Sequence, residues 1–284
     1  MTPVLANSHV GAFSASAIPS ESGQVCILPP LDVEDCLEIA AASGVEFRAT
    51  MLDPWYNKGI GGTRDDYTPY ILRLIDLAAR VSEHVYLWGF PEIVAVFVDK
   101  LPANVELLSW LTWYYKNNPS VIRGWRSSQM ACLHLARPDH TVFPEHFLNE
   151  AQLEKKAEGK LRYMPGPTSV IESSLQIGFV GRKEQTGHKA QKPIAVYEPL
   201  IEMATQPGDL ILDPMAGSGT TGAVAQALGR RAVLGDHSEA YTVMMEERLR
   251  LQRVNLGLDL RRRDAPIESA VPHSEPALVA AASA

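Results

Sequence analysis

The sequence predicts an α/β protein, an αβα sandwich around a mostly parallel sheet. Three observations carry that expectation. Short apolar runs alternate with helix-periodic segments through the middle of the chain. Two of those runs end in Asp-Pro and pass straight into a loop rich in glycine or aromatic residues. The chain has 284 residues, 46% of them apolar and 21% charged, which is enough to cover both faces of a sheet.

The elements follow in order. VEFRATML (45–52) reads as a strand running into Asp53-Pro54, and DYTPYILRLIDLAARV (66–81) as a helix. HVYLWG (84–89) is a short strand, and PEIVAVFVDKL (91–101) has helical spacing. VELLSWLTWYY (105–115) and QMACLHLA (129–136) read as further strands. Residues 137–188 are irregular and polar. KPIAVYEPLIEMA (192–204) is a helix opened by a proline near its first turn. DLILD (209–213), GTTGAVAQAL (219–228), RAVLG (231–235) and SEAYTVMMEERLRLQ (238–252) then alternate strand, helix, strand, helix, with Ser238 as an N-cap. Residues 1–22 and 262–284 show no useful period and read as loose tails around a domain of 23–261.

Composition narrows the class. Cys26, Cys36 and Cys132 are too few and too scattered for a disulfide framework or a four-ligand zinc site, so reduced cytoplasmic thiols and no metal are expected. No run approaches the roughly 20 apolar residues of a membrane span, and the first residues lack the pattern of a secretory signal. The net charge is −7, which argues against a nonspecific nucleic-acid coat. Its distribution is uneven: Lys116 to Lys192 holds twelve Lys/Arg against seven Asp/Glu. A basic middle on an acidic body suits one face offered to a polyanion, although a solvated loop region reads the same way.

The strongest local pattern is Asp213-Pro214-Met215-Ala216-Gly217-Ser218-Gly219-Thr220-Thr221-Gly222, between a predicted strand and a predicted helix. Glycines there permit a tight turn and close approach of a ligand, and the helix start offers unpaired N–H groups. The spacing Gly217-x-Gly219-x-x-Gly222, with Asp236 further on, also satisfies the dinucleotide fingerprint. Asp213 opposes that reading. A carboxylate at the loop mouth repels a pyrophosphate and suits a cationic amino group, such as that of S-adenosylmethionine.

The second pattern is Asp53-Pro54-Trp55-Tyr56-Asn57. An exocyclic amino group on a nucleobase is a poor nucleophile, because its lone pair is delocalised into the ring. The Asp53 carboxylate and the Pro54 carbonyl can accept its two N–H bonds and turn the lone pair out of the ring plane. Tyr56 offers a flat face to an unstacked base. The same residues could form an ordinary Asp-Pro turn with packed aromatics.

Together the two patterns resemble the amino-group DNA methyltransferases, whose catalytic motif is usually Asp-Pro-Pro-Tyr and whose cofactor loop is Asp-Pro-Phe-x-Gly-Ser-Gly-Thr-Thr. His188 and Lys192-Pro193 resemble that family's His and Lys-Pro ahead of the cofactor loop. The catalytic motif precedes the cofactor loop, as in the permuted β class, and the resemblance covers about residues 45–253. It implies a Rossmann-like methyltransferase sheet with a small target-recognition insert at 137–188, and S-adenosyl-L-methionine as cofactor. It also implies a base extruded from double-stranded DNA. In that reading Asp53, Pro54 and Tyr56 are catalytic. Asp213, Pro214, Ala216, Gly217, Ser218, Gly219, Thr220, Thr221, Asp236, Lys192 and Pro193 hold the cofactor. Trp55, Asn57, Arg123, Trp125 and Arg126 touch substrate. A homodimer and a cognate restriction enzyme are partners the resemblance allows.

The sequence departs from the family at Trp55, in place of the second proline, at Met215, in place of Phe, and after Gly235, where Asp236 follows one residue sooner. Asp at the head of the catalytic motif favours N6 of adenine over N4 of cytosine. An RNA adenine methyltransferase, a nicotinamide dehydrogenase and a noncatalytic binding module are the rival readings. For Lys155, Lys156, Lys160 and Arg162, a solvated helix with Glu154 and Glu158 is favoured over phosphate contacts. His134 is expected to be a packed histidine.

Overall fold

Among the described residues the central sheet has eight strands, of which seven run one way and one lies antiparallel between its two neighbours. The structure is a computed structural model that describes Phe13 and residues 17–57, 62–119, 121–122 and 124–254. The strands are β1 (Val25–Ile27), β2 (Phe47–Leu52), β3 (Ser82–Gly89), β4 (Glu106–Tyr114), β5 (Val121–Ile122), β6 (Trp125–Arg126), β7 (Gln129–Ala136), β8 (Val170–Glu172), β9 (Leu210–Asp213) and β10 (Arg231–Leu234). The helices are α1 (Val33–Ser43), α2 (Tyr67–Val81), α3 (Pro91–Val94), α4 (Glu150–Ala157), α5 (Ile194–Ala204), α6 (Thr220–Leu228) and α7 (Glu239–Leu249). The sheet order is β1-β10-β9-β2-β3-β7-β4-β8, and β7 is antiparallel to both β3 and β4. β5 and β6 form a separate hairpin.

Side-chain alternation along the strands splits the core into two layers. Leu52, Val85, Leu87, Leu212 and Val233 pack on one face with Leu37 and Ala40 of α1 and Ile71, Leu74 and Ile75 of α2. Ala49, Met51, Tyr86, Trp88, Ile211 and Leu234 pack on the other with Val196, Tyr197 and Leu200 of α5, Val224 of α6 and Met245 of α7. This is the expected αβα sandwich with a mainly parallel sheet. Gly222 lets α6 close on the sheet, because a Cβ there would stand 2.6 Å from Leu234 Cδ1 and 2.8 Å from Leu249 Cδ1.

Several expectations change. Residues 91–101 are not one helix: after α3 the bonds Val96 N→Ile93 O and Phe97 N→Val94 O tighten the chain, and a short 3-10 turn spans Val98–Lys100. Val94, Val96 and Val98 are β-branched and lower the propensity to continue the helix. Residues 17–22, placed in the loose tail, lie against the body: Ala17 is buried, Pro19 O accepts from Arg231 Nη1, and Ser22 Oγ donates to Gly229 O. The tail at 262–284 lies outside the described residues. Within 137–188, β8 extends the sheet beside β4, and α4 is opened by Asn149 and Gln152, each side chain bonding the other's backbone N–H. No α4 residue is buried, which matches the solvated-helix reading. Cys26, Cys36 and Cys132 are buried thiols. Among the described residues, no helix is long and apolar enough to cross a membrane.

His134 packs as expected. Its ring is stacked 4.3 Å from Tyr86, and its Nε2 lies 3.1 Å from His84 Nδ1, whose Nε2 meets Thr141 O at 2.9 Å. Burial holds His84 down to about 4 and His134 well below the ordinary histidine value, with Glu83, Arg48 and His140 nearby. The unfolded chain protonates these imidazoles near pH 6.5, so their stabilising contribution is present above that pH and is lost as the pH falls towards 4. For His84 alone the loss is about 3 kcal/mol. Thermal melts from pH 7 to pH 4 should show a falling Tm, with a shallower fall in His84→Gln.

Candidate active site

The two sequence patterns meet because β2 and β9 are neighbours. They pair in parallel through Ala49↔Ile211 and Thr50↔Leu212, so Asp53 and Asp213 emerge side by side at the carboxyl edge of the sheet. That edge is where open α/β sheets form ligand crevices.

Asp53 and Tyr56 face this crevice. Asp53 Oδ2 accepts a hydrogen bond from Lys192 Nζ, and the lysine side chain is 3% exposed. Asp53 Oδ1 is buried and accepts no hydrogen bond among the described residues. An unsatisfied buried carboxylate oxygen is costly unless a ligand donor completes it. Pro54 is buried beside it. The Tyr56 ring lies 4.6 Å from Phe90 and its hydroxyl points to Met130 Sδ at 3.7 Å. A small cavity next to Tyr56 is lined by Trp113, Tyr115, Met130, Gln191 and Lys192, among others.

The glycine loop is held from several sides. Asp213 Oδ1 accepts from Met215 N at 3.1 Å, and Oδ2 accepts from the Thr221 hydroxyl. Burial raises Asp213 to about 7 despite those bonds. Asp236 Oδ2 accepts from Gly217 N at 3.0 Å and Oδ1 from Ser238 N at 2.9 Å, which ties the loop to the start of α7. Burial raises the Asp236 carboxyl as well. Ala216 N donates to Gly235 O, and Pro214 stands beside Gly235. Ser218 and Thr220 both bond the Arg248 guanidinium, which no sequence pattern picked out. Gly217 has φ +51°, and His188 covers it: a Cβ there would lie 3.0 Å from His188 Nε2. Burial keeps His188 down to about 4, so it is a neutral ring against the loop.

Each carboxylate oxygen retains a further lone pair. Two buried carboxylates at one glycine turn form an acceptor-rich site suited to an ammonium group and to ribose hydroxyls. They suit a pyrophosphate poorly.

Other sequence-assigned residues sit elsewhere. Lys192, assigned to the cofactor, sends its ammonium to Asp53, while its carbonyl accepts from Thr220 Oγ1 at 2.9 Å. Pro193 caps α5. Trp55 turns away from Tyr56 and packs on α2, 5.5 Å from Tyr67 and 5.8 Å from Tyr70, with Nε1 donating to Gly62 O. Asn57 closes the following loop: its Oδ1 accepts from Arg64 N and its Nδ2 donates to Arg64 O. Arg126 braces the β5–β6 hairpin through the carbonyls of Lys116 and Asn118. Trp125 stands 82% exposed on that hairpin. Arg123 lies outside the described residues.

Comparison with known proteins identifies the family and the fold. A family model described as DNA methylase matches residues 85–247. The chain is 32% identical over 214 residues to the type II methyltransferase M.HpaI of Haemophilus parainfluenzae, covering 69% of this chain and 66% of that one. It is 35% identical over 112 residues to the type II methyltransferase M.HinfI of Haemophilus influenzae, covering 36% of this chain and 31% of that one. Among solved structures, the M1.HpyAVI–SAM complex superposes with a TM-score of 0.62 at 19% identity, over 80% of this chain and 100% of that chain. The cytosine-N4-specific PvuII DNA methyltransferase superposes with a TM-score of 0.58 at 14% identity, over 84% and 93%.

Proposed function

Since the chain belongs to the DNA methylase family, we propose that it transfers a methyl group from S-adenosyl-L-methionine to N6 of adenine in double-stranded DNA. The observation that carries this reading is the buried Asp53 Oδ1, without a hydrogen-bond partner among the described residues, beside Tyr56 at the strand edge it shares with the glycine loop. When bound, S-adenosylmethionine supplies an electrophilic methyl group. Asp213, Ala216, Gly217, Ser218, Gly219, Thr220, Thr221 and Asp236 form its cradle, with Pro214 and Pro193 setting the ends of the surrounding turns.

Asp53 Oδ1 accepts one N–H of the amino group and the Pro54 carbonyl accepts the other. Both bonds draw the nitrogen lone pair out of conjugation, and the carboxylate stabilises the positive charge that grows on nitrogen. Tyr56 supports the face of the flipped base. Phe90 and Met130 pack against that ring.

Adenine is favoured because the catalytic motif opens with Asp rather than Ser. Trp125 and the basic segment from Lys116 to Lys192, the recognition insert at 137–188 among it, form the proposed DNA face. A homodimer, a cognate restriction enzyme and a cytoplasmic setting complete the proposal on the strength of the resemblance.

The test is transfer of isotope-labelled methyl to mixed-sequence duplex DNA and to RNA, followed by digestion to nucleosides and mass spectrometry. Labelled N6-methyldeoxyadenosine is the expected product. Labelled N4-methyldeoxycytidine would keep the mechanism and change the base, whereas label in RNA alone would overturn the substrate.

A further inference from the structure

Lys192 occupies an unusual junction between the two halves of the site. Its backbone carbonyl is bonded by Thr220 Oγ1, and Thr220 is in turn held by Arg248 Nη1 at 3.0 Å. Its side chain leaves the glycine loop, passes Trp88 with Nζ 5.4 Å from the ring centroid, and ends on Asp53 Oδ2. The side chain is 3% exposed. A buried ammonium demands a carboxylate partner, and here that partner is the carboxylate at the head of the catalytic motif.

The consequence for Asp53 is geometric. A lone carboxylate rotates and offers either oxygen. With Oδ2 fixed by Lys192, rotation stops and Oδ1 becomes the buried acceptor without a partner among the described residues. We propose that Lys192 is a positioning residue for Asp53: it presents Oδ1 to the target amino group and ties the catalytic carboxylate to the cofactor loop, and it is not a cofactor ligand. This inference rests on the methyl-transfer reading above. The other titratable groups around the pair are Tyr56, Tyr67 of α2, Cys132 of β7, His188, Tyr197 of α5 and Asp213 of β9. At neutral pH none of those phenols, thiol or imidazole is a cation that could replace Lys192.

The experiment compares the full chain with Lys192→Met, Lys192→Arg, Asp53→Asn and the Asp53→Asn/Lys192→Met pair. Each is measured for kcat, KM and cofactor affinity by titration calorimetry. Lys192→Met is expected to lower kcat about 100-fold, with cofactor Kd within about threefold of wild type. Lys192→Arg should recover part of kcat. In the Asp53→Asn background, Lys192→Met should cost almost nothing further in kcat, because the residue acts through the carboxylate that is already gone. The double variant also removes both charges together, so it folds where Lys192→Met alone strands Asp53.

A loss in Lys192→Met that falls on cofactor Kd and leaves saturated kcat intact overturns the inference, as does a full additional loss in the double variant. A wild-type chain that binds cofactor and methylates no nucleic acid overturns the methyl-transfer reading, and this inference with it.

Discussion

Asp53→Asn should lower methyl transfer about 10²–10³-fold while leaving cofactor binding close to wild type. The substitution keeps an oxygen that can accept one N–H bond. It removes the negative charge that offsets the growing charge on the amino nitrogen, and it removes the ion pair with Lys192. Asparagine is a better probe than alanine here. Both substitutions take the carboxylate from the buried Lys192 ammonium, but the asparagine oxygen can still accept its N–H, whereas Asp53→Ala leaves it with no acceptor there, a loss on the order of 3 kcal/mol. A rate measured on Asp53→Ala alone therefore mixes chemistry with stability. Single-turnover kinetics with labelled cofactor, alongside a melt of each variant, separates the two. An Asp53→Asn enzyme with wild-type kcat would remove Asp53 from the mechanism.

Much of the fold was legible from residue pattern because its central strands are short apolar runs with turn signals at both ends. DLILD and RAVLG became β9 and β10 with shifts of a residue at the ends, and QMACLHLA became β7 with its bounds unchanged. The direction of β7 was not legible. Nothing in its alternation separates antiparallel from parallel pairing, which is decided by the connections around it. β1 and β8 are three residues each and owe their existence to the neighbours they pair with, β10 and β4.

The candidate site divides in the same way. Asp53, Tyr56, Asp213 and Asp236 lie at strand ends or tight turns, where the backbone fixes them near the crevice. Lys192 and Trp55 carry long side chains whose direction is set by tertiary packing. Trp55 finds Tyr67 and Tyr70 on α2, and Lys192 finds Asp53 rather than the loop beside it. Arg248 carries no motif. It sits near the end of α7 and reaches Ser218 and Thr220 because α7 packs back over the glycine turn. A basic residue late in a helix after the last strand was the one available signal, and it is too common to single out.

Gly217→Val should weaken cofactor binding about 10- to 100-fold, through two separable costs. The first is conformational. Gly217 has φ +51°, and a β-branched side chain in that region is strained by about 1–2 kcal/mol. The second is crowding, since the new Cβ would stand 3.0 Å from His188 Nε2 and 3.3 Å from His188 Cε1. His188 cannot swing away freely, because its ring is packed 4.4 Å from Tyr241 and its Nδ1 accepts from Ala190 N. The loop must therefore move. Moving it pulls Gly217 N off Asp236 Oδ2, and so displaces a carboxylate proposed to line the cofactor cradle. Gly208→Ala supplies the control. Gly208 has φ +86°, but a Cβ there meets nothing within 4 Å, and it precedes β9 at the strand end away from the loop. That variant should lose about 1 kcal/mol of stability and bind cofactor as wild type does. Calorimetric titration of both variants reads the difference: equal cofactor affinity in the two would show that the Gly217 turn does not shape the site.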